Sequence, residues 1–489
     1  MARSKGTPLK GIKLRDSEDN VKLRQAGQAQ VRVPTARRMP VLLMLALLQP
    51  AMWLAGCSGS GDPDFAPLPG AIVEYSGTVE TPADMDTGRE MASAGQAETD
   101  QQRQEREALA RRSLDWWRTR AADGDAEAQF NIGLAYYRGE GVRADQQEKV
   151  RWYTMAAKQG HARAQNGLGN AYRLGLGAPK DDRQAVRWYE ASAGQDYAPA
   201  QANLALYYLH GQAVPKNMER ALDLLRRSAG QGYPPARYHL ASLYDTGTGV
   251  QENQAEAIRF YTMAADAGHS RAQYQLGLKY YMGRGVPRDG RVAMDWFAKA
   301  ANNGEMRAQT RLGFAYLTGD GVSLDYPLGE HWLLKAAERG ETSAQFALGG
   351  LYRSAALGAP QYEKARHWLQ AAAGAGHVSA SVQLAAMLVR GEGGDRDPEA
   401  ALPLYEMAAK TGDATAMLAL GRMYRDGMGT GVDLVRAHTW LNLAYSHGDP
   451  NTSTQAAEAM RTITPRMSAG ELERAEEAAL AFTPTKKSG

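Results

Sequence analysis

One residue type recurs along this chain with a regularity that leaves few folds open. Alanine stands at positions 128, 164, 200, 236, 272, 308, 344, 380 and 416, nine times at a spacing of 36 residues without an insertion. Four residues after each alanine comes Ile132 or one of Leu168, Leu204, Leu240, Leu276, Leu312, Leu348, Leu384 and Leu420. Eight residues after it comes a tyrosine, from Tyr136 and Tyr172 through Tyr352 to Tyr424, with Leu388 the exception. Steps of four residues advance about 40° around an α-helix, so these positions form one apolar stripe. Five residues after each alanine only glycine or alanine occurs, as at Gly133, Gly169, Ala205 and Gly421. A small residue there lets a second helix approach closely.

The first helix of each unit is expected to stop at a Gly-x-Gly turn, such as Gly139-Glu140-Gly141 or Gly283-Arg284-Gly285, where glycine accepts positive φ. Seventeen residues after the anchor alanine stand Asp145, Asp181, Asn217, Asn253, Asp289, Asp325, Gln361, Asp397 and Asp433, and all but Gln361 are side chains that cap helix N-termini. A second helix follows, carrying Trp152, Trp188, Phe260, Trp296, Trp332, Trp368 and Trp440 at one position and Ala or Ser one turn later. Glycine then closes the unit, as at Gly160, Gly268 and Gly376. A helix pair of this size cannot bury its own apolar face, so neighbours must stack. The expected fold is all-α: a right-handed superhelical solenoid of about nine 36-residue helix-turn-helix repeats.

The shared pattern is Leu-Gly-x-x-Tyr, Gly-x-Gly-Val, a central Trp-Tyr or Trp-Leu and a closing Ala-Ala-x-x-Gly-His. It resembles the Sel1-like repeat family, relatives of the tetratricopeptide repeat, over residues 124–448. The resemblance implies a superhelical scaffold that binds other proteins. Residues 101–123 read as an N-terminal capping helix, and residues 449–489 as C-terminal capping helices and a tail, with a capping-box pattern at Ser468-Ala469-Gly470-Glu471.

The single cysteine of the chain, Cys57, excludes an intramolecular disulfide or a cysteine zinc cluster. It ends the uncharged run from Pro40 to Gly56, which follows Arg37 and Arg38 and, short and ending in small residues, reads as a signal-peptide core more readily than as a membrane span. Leu54-Ala55-Gly56-Cys57 resembles the bacterial lipobox, in which the cysteine is lipidated and becomes the first residue after cleavage. Residues 1–56 are then an N-terminal extension and lipoprotein signal peptide, and 57–100 a lipidated cysteine with a disordered tether rich in Gly, Ser, Pro and acids. Ser58 after the cysteine favours the outer membrane, facing the periplasm. The leader ahead of Met39 is long and basic, whereas a start at Val31 leaves Val31 to Arg38 as a conventional leader. Translation is therefore expected to begin at a non-AUG codon for Val31, and a chain begun there should be exported and lipidated.

Chemistry finds little purchase. With 57 basic and 54 acidic residues the net charge is only +3, against a dedicated nucleic-acid binder. No two of the nine histidines have the i, i+4 spacing of a helical metal pair, and no Ser-x-x-Lys occurs; Lys410-Thr411-Gly412 falls where a second helix ends. No catalytic residue, metal or cofactor is expected. What remains is a surface. Two, six and nine residues after the anchor alanine lies the first-helix face opposite the far edge of the apolar stripe, which in tetratricopeptide-like solenoids lines the concave groove, and here it carries Phe130, Tyr137, Tyr238, Tyr274, Tyr281, Phe314 and Phe346 with Asn166, Asn170, Arg173, Asp245 and Arg353. Such a mixture suits an extended peptide or partner helix, although the same rings could instead pack between consecutive first helices. The expected function is a membrane-anchored periplasmic scaffold for protein partners of unknown identity. The alternatives are a component of an envelope polysaccharide-export or peptidoglycan-assembly machine and a periplasmic regulator of a signalling system. Residues 344–412, which lack both turn glycines in one repeat and carry Pro403 inside a helix of the next, are either a hinge or a degenerate pair of repeats.

Overall fold

The structure, a computed structural model, describes residues 100–485, with side chains from residue 106. Cys57, the leader, the Val31 start and the tether lie outside the described residues. Helix α1 (Asp100–Ala122) precedes nine helix pairs. The first three are α2 (Ala126–Arg138) with α3 (Gln146–Lys158), α4 (Ala162–Leu174) with α5 (Asp182–Ala193), and α6 (Ala198–His210) with α7 (Met218–Gly230). Next come α8 (Pro234–Thr246) with α9 (Gln254–Asp266), α10 (Ser270–Met282) with α11 (Gly290–Asn302), and α12 (Met306–Thr318) with α13 (Tyr326–Ala337). The last three are α14 (Thr342–Arg353) with α15 (Tyr362–Gly374), α16 (Val378–Arg390) with α17 (Pro398–Lys410), and α18 (Ala414–Asp426) with α19 (Leu434–His447). The chain ends in α20 (Pro450–Ile463) and α21 (Ala469–Leu480). The pairs stack as a right-handed α-solenoid in which each helix packs chiefly on its neighbours in sequence. Among the described residues no helix is long and apolar enough to cross a membrane.

Within a pair, the small residue five positions after the anchor alanine receives one large side chain from the second helix. A methyl added to Gly133 would lie 2.5 Å from the Tyr153 ring, one on Gly277 2.6 Å from Phe297, and one on Gly349 2.5 Å from Leu369. The receiving residues Tyr189, Leu225, Phe297, Leu333, Leu369 and Leu441 are fully buried. The tryptophan immediately before all of them but Leu225, the conspicuous residue in the sequence, is mostly only half-buried; Trp332 alone of those tryptophans is buried.

The turns do two jobs. In eight repeats the first turn glycine caps the first helix in the left-handed region, at φ between 67° and 74°. The second glycine lies against the start of the preceding pair's second helix, so closely that a methyl on Gly177 would come 1.9 Å from the Gln146 carbonyl oxygen. Gly393 meets Tyr362 and Gly429 meets Pro398 in the same way, each at 2.4 Å. The same contact identifies α1: Gly141 reaches the backbone of Ala110, which stands 36 residues before Gln146. Helix α1 is thus the second helix of an incomplete preceding unit. Its Leu114 and Ala121 are buried with Ala128 and Ile132, and Gly124 and Asp125 supply that unit's closing glycine and the next helix cap.

The second helices are capped as the sequence demands. Eight of the nine residues at the cap position accept backbone N–H bonds through their side chains, and Gln361 does not. In all nine repeats the N–H of that residue also donates to the carbonyl nine positions earlier, at 2.7 to 3.0 Å, closing the turn even where its glycines are missing. One buried core runs from Leu317 to Ile463 and passes through residues 344–412. Pro403 sits on the exposed side of α17, where the carbonyl it leaves unbonded faces water, and the helix continues through it. At the C-terminus α21 returns to pack on α19, and Thr485 donates its backbone N–H to the Lys410 carbonyl at 2.9 Å.

In the third repeat alanine occupies the second turn glycine's position, and Ala213 is held at φ 57°. Ala213→Gly is expected to raise stability by about 0.5 to 1 kcal/mol, left-handed strain outweighing the added chain entropy. Gly177→Ala, at the same repeat position but facing Gln146, should cost about 2 to 4 kcal/mol. Urea midpoints with unchanged slopes check both, and two shifts of the same sign would refute the assignment.

Candidate protein-binding surface

The twelve residues expected to line a partner groove all lie on first helices, and none is exposed. Phe130 and Asn166 are buried, at 5% and 1% exposure; the other ten are half-buried. Phe130 stacks between Tyr153 and His161, with ring centroids 5.2 and 4.8 Å away. Tyr238 likewise lies on His269 at 4.9 Å, with Tyr261 at 5.9 Å, and Phe346 on His377 at 4.4 Å. These three pairs recur every third repeat and tie a first helix to the cap of the next one. Tyr274 packs on Phe297 at 5.6 Å, and Phe314 packs against the C-terminal core.

The polar members are held by residues of neighbouring helices and turns. Asn170 accepts from the Tyr189 hydroxyl at 2.7 Å, and Arg173 Nε donates to the same oxygen at 3.3 Å. Asn203 donates to Asn166 at 3.0 Å. Tyr281 donates to Asp320 at 2.7 Å beneath the Arg311 guanidinium, which lies 4.1 Å from its ring centroid. Arg353 stands 3.6 Å from Glu392. Asp245 binds the ammonium of Lys279, which is only 2% exposed and replaces an apolar residue of the first helix. Tyr137 sits under the ammonium of Lys149, 5.4 Å from its ring centroid. What this face offers a partner is therefore ring edges and shared polar atoms over a braced surface, not free side chains.

Two supporting features carried a sequence signal that the apolar pattern hid. The residue after the anchor alanine is glutamine in six repeats, and Gln129, Gln165, Gln201, Gln273, Gln309 and Gln345 are all buried. Gln165, Gln273, Gln309 and Gln345 donate to a carbonyl at the end of the preceding second helix, at 2.9 to 3.1 Å. Gln159, Gln195, Gln231 and Asn303 donate in turn to Gln129, Gln165, Gln201 and Gln273 at 2.7 to 3.0 Å. The second feature is histidine as a helix cap: Nδ1 of His161, His269 and His377 accepts the N–H of Ala164, Ala272 and Ala380. Burial holds the His269 imidazole down at about 3, helped by neighbouring His239 and Arg271; His239 is itself held at about 4, chiefly by burial.

Lys410-Thr411-Gly412 is a helix terminus: Thr411 caps α17 and Gly412 takes φ 96°. Among the described residues no group of three or more His, Cys, Asp or Glu side chains could hold a metal ion.

The Sel1 repeat family profile matches residues 126–161, 162–197, 198–233, 234–269, 270–305, 307–341, 342–377, 378–413 and 414–449. Among solved structures, a Sel1 repeat protein from Oxalobacter formigenes is 33% identical, with a TM-score of 0.46, covering 50% of this chain and 99% of its own. A protective antigen of uropathogenic Escherichia coli displaying an SLR fold is 25% identical, with a TM-score of 0.39, covering 76% of this chain and 94% of its own. An immunity protein from Pseudomonas aeruginosa, Pa5087, is 22% identical, with a TM-score of 0.34, covering 45% and 82%. No curated protein matches the chain.

A histidine that caps through Nδ1 must be neutral, so its depressed pKa makes stability depend on acid. The His269 contribution is complete above an unfolded pKa near 6.5 and is lost as pH falls from there toward about 3. At pH 5 the loss is at most about 2 kcal/mol, 1.5 pH units at 1.36 kcal/mol each. His269→Asn, which caps without titrating, should flatten the pH 7 to 5 change in melting temperature. An unchanged acid slope would refute the assignment.

Proposed function

Because the chain belongs to the Sel1 repeat family, we propose that it is a membrane-anchored periplasmic scaffold that gathers protein partners along its first-helix face. The α-solenoid surface is a protein-binding fold, and the observation that carries the reading is the continuity of that face: nine in-register first helices presented by one stack, each braced by its own second helix. Half-buried aromatics held by neighbouring rings lose little entropy when a partner covers them, which is the condition for an efficient interface. Phe130, Tyr137, Asn166, Asn170, Arg173, Tyr238, Asp245, Tyr274, Tyr281, Phe314, Phe346 and Arg353 are its candidate members. Cys57 supplies the anchor in this reading, after cleavage of residues 1–56, in the outer membrane facing the periplasm. Residues 58–100 serve as the tether in this reading.

Crosslinking in the native envelope followed by mass spectrometry is the test. Crosslinks are expected to concentrate on first helices, and confinement to second helices would overturn the binding face. Independently, Cys57→Ser should abolish fatty-acid labelling and release the chain from membranes. Unchanged fractionation of that variant would overturn the anchor and leave the scaffold standing.

A further inference from the structure

Twenty-one residues after the anchor alanine, the second helix lies closest to the first, and the residue there is small: Ala185, Ala221, Ala257, Ala293, Gly329, Ala365, Ala401 and Ala437. The seven alanines are completely buried. In the first repeat the residue is Lys149. The residue is 5% exposed, and its side chain runs to the last turn of α2, where the ammonium meets the ring of Tyr137. The other buried lysine, Lys279, is neutralised by Asp245 and also bonded to Gln254 Oε1 at 2.9 Å. Among the described residues no carboxylate or hydrogen-bond acceptor pairs with Lys149, whose buried stem ends in an ammonium that reaches solvent past the Tyr137 ring. The nearby acids are turned elsewhere: Glu148 to Arg151 at 3.3 Å, Glu127 to His161 at 2.8 Å, and Glu140 toward Arg138 at 4.0 Å.

A buried charge is costly until it is paired, and replacing it by a neutral residue is usually neutral or stabilising. Eight repeats show that the fold is complete with a methyl or a hydrogen at this position. Nothing in the packing calls for an ammonium there. We propose that Lys149 is the anchoring cation of a carboxylate-binding site at the N-terminal end of the first-helix face, taking an Asp or Glu side chain of an acidic partner polypeptide. The proposal rests on reading that face as a partner surface and names the chemistry of one end of it. Tyr137 forms one wall. Arg138, next to Tyr137 in the last turn of α2, adds a second cation at this end of the face and favours a segment with more than one acid. Burial lowers the Lys149 amine to about 8, and a bound carboxylate would raise it again.

The test uses the full chain and a short fluorescent peptide, capped at both ends, with three glutamates spaced by serines, followed by anisotropy at low and physiological salt. The chain should bind it, and the same peptide with glutamines should not bind. Lys149→Ala, the residue other repeats carry, should melt no lower than the parent and bind at least tenfold more weakly. Lys149→Met, which keeps the bulk, should behave alike and guards against a folding defect in the alanine variant. Parent affinity should fall between pH 7.5 and 9.5 as the amine loses its proton, and the variants should be flat there. Equal binding by parent and variants, or a preference for the glutamine peptide with a free C-terminal carboxylate, would overturn the site. Native crosslinks that persist on first helices while the peptide fails would overturn the carboxylate site alone; loss of those crosslinks is what would overturn the scaffold itself.

Discussion

The structure depends on one contact repeated nine times: a large side chain of the second helix entering the space left by glycine or alanine on the first. Dispersion and apolar burial both fall off steeply with separation, so the gain comes only if the helix axes approach until the ring or leucine touches backbone. Gly169 against Tyr189 and Gly421 against Leu441 are such seats, with a hypothetical methyl 2.6 and 2.5 Å from the partner. Ala205, Ala241 and Ala385, all fully buried, show that the seat also accepts a methyl. Once this approach is fixed, the turn length is fixed too, and the second turn glycine must pass over the preceding pair.

That constraint explains what could be read in the sequence and what could not. The stripe of anchor alanine, leucine and tyrosine, the aspartate caps and the turn glycines each enforce a local geometry with few solutions, so helix pairs and their stacking followed directly. The tryptophans misdirect attention: size and rarity draw the eye to Trp152 or Trp296, while burial falls on Tyr153 and Phe297 one residue later. One position is 100° of helix, enough to turn a side chain from the seat to the flank. Helix α1 was legible as a helix but not as half a repeat, because the alanine, leucine and tyrosine positions that define the register belong to the first helix, which that unit lacks.

The binding face was less legible for a different reason. Sequence places Phe130, Tyr238 and Phe346 on a helix face, but their stacking depends on His161, His269 and His377 some 31 residues later. Those rings come together only after two pairs have stacked, so neither the helix nor the repeat reveals the contact. The buried glutamines are similar: four link the end of one second helix to the start of the next first helix, and four accept from an amide 30 residues on. An apolar pattern search passes over them because they are polar at a core position. The unpaired carbonyl oxygens of Gln309 and Gln345 mark where the later partner is Arg339 or Ala375 instead.

In a repeat protein each position is sampled many times against nearly the same surroundings, so the chain carries its own controls. Ala213 at positive φ is strained by comparison with the seven repeats that place glycine there, not against a general expectation. Lys279 departs from the apolar residues of its position but brings Asp245 with it, a paired substitution that the fold resolves internally. Lys149 departs from its eight counterparts without an internal counter-charge. A cost borne in one repeat and avoided in the other eight, on the face where the rings are already braced, locates the demand outside the packing of the stack.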